Sequence, residues 1–176
     1  IAEEAASRGA SVTLITGPVH LTTPEQVYRK DVVSAEEMKN AILHYFDDSE
    51  VLIMAAAVAD YKPKVVSDEK IKKKNAKLSL ELVKTDDILK EIVKNKKQQF
   101  VVGFALETNN EQENAKQKLV HKNLDAIVLN SLNDTGAGFG HDTNKVTIIT
   151  ANEETTYALK SKKEVAVDIL NFIEGC

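Results

Sequence analysis

Val51–Val58 (VLIMAAAV) is an unbroken apolar run that ends in Ala59-Asp60. It is far shorter than the roughly 18 residues a membrane-spanning helix needs. It also lacks the alternation of a strand with one wet face. Such a run fits a strand of a parallel sheet covered by helices on both sides. Phe100–Ala105 and Asp125–Asn130 (DAIVLN) are two further runs of this kind. Helical spacing separates them. Ser34 with Glu37 has the pattern of a capping box, and Met38, Ala41, Ile42 and Tyr45 recur at helical intervals through Phe46. Asp86-Asp87 opens a second helix through Lys94, and Asn109 or Asn110 opens a third, to about His121. Strands alternating with helices predict βαβ units. The expected fold is therefore α/β, a Rossmann-like three-layer α/β/α arrangement with a mostly parallel sheet.

The rest of the chain fits around that frame. Ile1–Ser7 reads as the end of an amphipathic helix, with Gly9 after it as a C-cap. Ser11–Thr16 and Val27–Val32 read as strands. Tyr61–Ala76 is polar and lysine-rich, and Leu78, Leu80 and Leu82 alternate with Ser79, Glu81 and Val83. This predicts a half-exposed strand in a small antiparallel flap. Asn133–Asn144 is a glycine-rich connection, Lys145–Thr150 and Thr155–Leu159 a terminal hairpin, and Lys162–Ile173 a closing helix. A chain that starts in mid-helix without methionine is expected to be a single domain, 1–176, truncated at its N-terminus. The expected preceding parts are a first strand, a phosphate-binding turn and the start of the first helix.

Composition narrows the functional classes. With 176 residues, 43% hydrophobic and 28% charged, the chain has the profile of an ordinary globular domain. A net charge of −4 argues against general nucleic-acid binding, and no run is long enough to enter a membrane. Lysines nevertheless cluster at 70–74 and 116–122, so a local phosphate site is compatible with an acidic whole. The single cysteine, Cys176, permits neither an internal disulfide nor a cysteine-based metal cluster, which fits a cytoplasmic protein. The four histidines show no ligand spacing, and no metal-ligating residue is assigned.

Several residues stand where chemistry is carried. Ligands of open α/β sheets bind beyond the carboxyl ends of the strands. Met54, Ala55 and Ala56 lie in such a strand, and small residues let a ligand approach the backbone. Asp60 follows them, either as a turn or capping aspartate or as an acceptor for ribose hydroxyls or a metal-bound water. Lys70, Lys72 and Lys73 are solvated flap lysines or mobile charge for a developing oxyanion, and spacing does not choose among them. Lys118 and Lys122 are four apart and share a helix face, where a polyphosphate would turn their repulsion into attraction. Gly103 and Phe104 end a buried strand, where the ring serves the core or packs on a base. Asp86, Asp87, Ile88 and Leu89 begin a helix whose free N–H groups suit a base carbonyl or phosphate. Gly136-Ala137-Gly138-Phe139-Gly140 is not a dinucleotide fingerprint, because a strand rather than a helix follows.

Four of these stretches carry a resemblance. Ala55-Ala56-Ala57-Val58-Ala59-Asp60-Tyr61-Lys62-Pro63 with Glu69-Lys70-Ile71-Lys72-Lys73, then Val101–Thr108, then Ala115–Asp125, then Gly138–Asn144, resemble in order the motifs of bacterial phosphopantothenoylcysteine synthetase. The resemblance implies a ligase of coenzyme A biosynthesis. CTP would activate the carboxylate of 4′-phosphopantothenate as an acyl-cytidylate, and the amine of cysteine would displace CMP. It implies Mg²⁺ with the triphosphate, and FMN only if a decarboxylase domain is fused upstream. It aligns Lys70 with the family's catalytic lysine. It also assigns nucleotide contacts to Met54, Ala55, Ala56, Asp60, Lys70, Asp86, Asp87, Ile88, Leu89, Phe104, Lys118 and Lys122. Where the family usually has Asn-Pro-Asp, this chain has Thr85-Asp86-Asp87. The family is generally dimeric, and a homodimer is expected in which the segment from Tyr61 to Val83 reaches the partner. Two rivals are an NAD(P)-dependent Rossmann-like oxidoreductase and a noncatalytic nucleotide-binding regulator. The first leaves Lys70 and its neighbours unexplained, and an assay for pyrophosphate release separates the second.

Overall fold

The computed structural model describes residues 1–67, 69–72, 78–131 and 140–176. Helix α1 (Ala2–Ser7) closes at Gly9, whose φ of +90° is the left-handed turn a glycine permits. Strands β1 (Val12–Thr16) and β2 (Val27–Asp31) pair in parallel, with Leu14 opposite Arg29. Helix α2 (Ala35–Phe46) is capped by Ser34, whose side chain accepts from the Glu37 N–H. The Glu37 carboxylate reaches back one residue further than in a capping box, to the Val33 N–H at 2.9 Å.

Strand β3 spans only Val51–Met54. The predicted strand to Val58 is thus corrected: its ladder with β6 ends where Met54 meets Gly103, and Ala55–Ala59 leave the sheet. Strands β4 (Tyr61–Pro63) and β5 (Leu82–Lys84) form the antiparallel flap. Here too the expectation is corrected, since Leu78–Glu81 are not in a strand. Leu78, Leu80 and Leu82 are 74, 57 and 51% exposed, so Leu80 and Leu82 are half exposed, as expected, and Leu78 more so.

Asp87 caps α3 (Ile88–Ile92), and a single 3₁₀ turn follows at Val93–Asn95. Strand β6 (Phe100–Glu107), helix α4 (Glu111–His121) and strand β7 (Ala126–Ser131) form a βαβ unit with parallel strands, Gly103 opposite Ile127. The chain ends with β8 (Thr143–Asn144), the hairpin β9 (Val146–Ile149) and β10 (Glu154–Thr156), β11 (Lys160–Ser161) and α5 (Lys162–Glu174). Ser161 and Glu164 form the capping box of α5. Most of the glycine-rich stretch from Asn133, including Gly136–Phe139, lies outside the described residues, as does Lys73.

The central sheet runs β10-β9-β7-β6-β3. Its β3, β6 and β7 are parallel, and β9 and β10 add an antiparallel edge, so the sheet is mixed. Side chains alternate between two cores. Val101, Ala105, Ile127 and Leu129 pack against α2, α3 and α4, whereas Val102, Val128 and Ile148 pack against α5. Three layers result. Ile15 of β1 and Leu52 of β3 both pack on the first core. Even so, β1–β2 is a separate ladder: among the described residues no backbone hydrogen bond joins β1 to β3.

Candidate functional site

The carboxyl ends of β3, β6 and β7 open into a cavity of about 720 Å³. Every predicted nucleotide contact except Lys70 lines it. Met54 is buried at the end of β3, and Ala55 and Ala56 continue beyond it with exposed backbone and no bulk above it. Asp60 stands at the base of the flap, its carbonyl accepting from the Thr85 N–H at 2.8 Å. Lys70 is exposed on the flap and does not line the cavity, so the structure separates it from the group it was predicted to join. A lysine on a solvent-exposed flap needs a movement of that flap to reach the cavity.

The two aspartates at the start of α3 are held by cations. The Asp87 side chain accepts from the Lys90 N–H at 3.2 Å and from Lys122 Nζ at 3.1 Å. Burial pushes the Asp87 carboxyl up. The hydrogen bonds from Lys122 and the Lys90 amide, with both lysine charges, outweigh it and hold the group below the usual carboxylate range. Asp86 pairs with Lys39 at 2.7 Å; that bond and its charge lower the Asp86 carboxyl and raise the Lys39 ammonium. Ile88 and Leu89 bury their side chains in the first core, so only their backbone is available to a ligand.

Lys118 and Lys122 meet the cavity from the last turn of α4 and the residue after it. Lys118 Nζ lies 3.9 Å from Glu107 Oε1, a loose contact, whereas Lys122 is engaged by Asp87. Phe104 faces the α5 side of the sheet, against the second core. Gly103 faces the other side. A Cβ there would lie 2.7 Å from Leu124 Cδ1, so this glycine makes room for a core leucine. The close approach inferred from the sequence is therefore made at least by the protein itself.

The sequence reading missed the other wall. Asn130, Asn144, Lys162 and Val165 also line the cavity. Asn130 stands next to the last residue of β7, much as Met54 stands at the end of β3, and that position was the signal available for it. Asn144, brought in by β8, closes the fourth motif of the resemblance but was given no role there, and Lys162 is brought in by α5, which no spacing ties to the motifs. Among the described residues no group of three or more His, Cys, Asp or Glu side chains is placed to hold a metal ion. Among the described residues no helix is long and apolar enough to cross a membrane either.

A layered α/β sheet with lysines, aspartates and exposed small residues converging at its strand ends defines a Rossmann-like α/β domain with a cavity at those ends. The whole chain, residues 1–176, matches the family described as the DNA/pantothenate metabolism flavoprotein C-terminal domain. The chain belongs to that family. It is 45% identical over 175 residues to the coenzyme A biosynthesis bifunctional protein CoaBC of Bacillus subtilis strain 168, covering 98% of this chain and 43% of that protein. It is 50% identical over 176 residues to a cysteine/cysteine sulfinic acid decarboxylase of an unknown prokaryotic organism, covering 98% of this chain and 49% of that one. The chain thus spans about half the length of these curated relatives. The crystal structure of the C-terminal domain of CoaBC superposes with a TM-score of 0.82 at 39% identity, covering 98% of this chain and 78% of that one. Fold class and resemblance agree with the reading from sequence.

Proposed function

We propose that this domain ligates 4′-phosphopantothenate to cysteine at the expense of CTP, in coenzyme A biosynthesis. The carrying observation is that residues far apart in the chain, chosen as nucleotide contacts from their motifs, line one cavity at the carboxyl ends of β3 and β6. The family and its CoaBC relatives support the pathway.

A carboxylate is a poor acceptor for an amine because oxide would have to leave. In the proposed first step a 4′-phosphopantothenate carboxylate oxygen attacks the α-phosphorus of CTP. The P–O bond to the β-phosphate breaks and pyrophosphate departs. In the second step the cysteine nitrogen attacks the acyl carbon, the C–O bond to CMP breaks, and the amine loses a proton. Both steps depend on positioning and on cations that meet growing negative charge. Lys118 and Lys122 are assigned to the polyphosphate. Lys122 must then exchange Asp87 for phosphate oxygens. Lys70 is assigned to the reacting centre, which it would reach by closure of the flap. Phe104 is assigned to the base, and the exposed backbone of Ala55 and Ala56 to close contact with the acyl-nucleotide.

Mg²⁺ fits this cavity only as a partner of the triphosphate, since the aspartates at α3 are already paired with lysines. Asp60, through an ordered water, is the carboxylate assigned to it; the ion would neutralise phosphate charge. FMN is assigned to a decarboxylase half and not to this domain. A reducing cytoplasm suits the single exposed thiol of Cys176. The functional unit is proposed to be a homodimer joined through the flap, whose exposed Leu78, Leu80 and Leu82 are otherwise left in water. The test is pyrophosphate release from CTP with 4′-phosphopantothenate and cysteine. Release that requires CTP and the acid supports the reading, and binding of NADPH in place of CTP overturns it.

A further inference from the structure

Asn144 is a buried polar residue, 9% exposed, in the wall of the cavity. Its Oδ1 accepts from the Lys145 N–H at 3.0 Å, and its Nδ2 donates to Asn130 Oδ1 at 3.0 Å. The polarity of this pair is forced. A backbone N–H can only donate, so the Asn144 oxygen must face it and the Asn144 amino group must face Asn130. Asn130 then has to present its own oxygen, and its amino group is turned away from Asn144. Among the described residues that amino group has no protein partner.

The register says where it goes. Phe104 lies opposite Val128, and Leu106 opposite Asn130. Val128 and Phe104 share the α5 face, and Asn130, two residues past Val128, shares it too. Asn130 therefore stands beside Phe104 at the strand ends, in the cavity wall.

We propose that Asn144 is a positioning residue that fixes the Asn130 amide as a hydrogen-bond donor toward an oxygen acceptor of the bound nucleotide, an inference that rests on the nucleotide reading above. The Lys145 N–H, through two side chains, sets the polarity of this part of the cavity wall.

Asn144→Asp tests it with little change of shape. One oxygen of the new carboxylate still accepts from the Lys145 N–H. The other faces Asn130 and admits only a donor, so the Asn130 amide must turn over and present its oxygen to the cavity. Two readouts follow. Without ligand, the side-chain ¹⁵N–¹H₂ signal of Asn130 should shift downfield and exchange more slowly with water in Asn144→Asp; an unchanged signal overturns the proposal. With CTP, calorimetry should show about a five- to tenfold weaker affinity for Asn144→Asp, and no further loss when the same change is made in an Asn130→Ala background. Equal losses in both backgrounds would mean that Asn144 acts only on stability, and would also overturn it. Cytidine as a second titrant locates the acceptor: a shared loss puts it on the nucleoside, a loss for CTP alone on the phosphates, and both support the donor. Should Asn144→Asp not fold, Asn144→Ala, which removes the lock without adding charge, gives the same test of coupling. If the wild-type chain takes up no CTP, the nucleotide reading fails, whereas the orientation of the amide is still decided by the ligand-free spectrum.

Discussion

At the scale of single residues, the cavity is a set of cations already answered by acids. Lys122 is paired with Asp87 and Lys118 leans loosely toward Glu107, so a polyphosphate must compete for one and can recruit the other almost freely. Lys118→Ala and Lys122→Ala are expected to weaken CTP more than CMP. The loss should be about tenfold or more for each charge-assisted contact removed, at roughly 1.5–3 kcal/mol. Calorimetry with both nucleotides checks it, and equal losses would remove these lysines from the polyphosphate. Lys70→Gln is expected to slow single-turnover formation of the acyl-cytidylate more than it weakens CTP; an unchanged rate would transfer the role to Lys72 or Lys73. Asp87 carries a pH dependence. Its folded pKa is depressed, so its contribution to stability is complete above the unfolded carboxylate value of about 3.9 and is lost as pH falls through the lower folded value. Thermal melts of Asp87→Asn against wild type should therefore differ at neutral pH and converge in acid. A constant difference at all pH values would mean that the cap, and not the charge, is what matters.

At the scale of elements, Gly103 shows how tightly strand and loop are fitted. Gly103→Ala places a methyl group against the Leu124 side chain, and about 1–3 kcal/mol of overpacking is expected, read as a lowered melting temperature. A melt unchanged by the substitution would mean that Leu124 turns aside at no cost. What the sequence discloses about elements follows from where their causes lie. The capping of α2 by Ser34 and of α3 by Asp87 is local chemistry, and both were legible. The apolar faces of β6 and β7 were legible because burial on both sides leaves no room for polar residues. The end of β3 was not, because Ala55–Val58 are as apolar as Val51–Met54, yet the chain leaves the sheet after Met54 while β6 runs on to Glu107. The leucines at 78 and 80 alternate as a strand would, yet among the described residues no strand pairs with them. In the cavity, residues with a motif of their own were legible. Asn130 and Asn144 were not, because only the fold brings β7 and β8 close enough for the two side chains to meet.

At the scale of the whole molecule, the flap is the part that asks for a second copy. Its exposed leucines are expected to be covered by the partner's flap, so sedimentation at micromolar concentration should show a dimer that Leu80→Asp converts to monomer with loss of synthetase activity. A fully active monomer would refute it. The remaining feature is how unevenly the strands are paired. Among the described residues β4 and β5 have only each other as partners, whereas β6 and β7 are paired on both sides. Cooperative opening follows ladders as well as packing. Amide exchange is expected to be slowest in β6 and β7 and much faster in β4 and β5, and equal protection of the two would overturn it. The strand ends that floor the cavity would then stay in place while the flap is lost and regained.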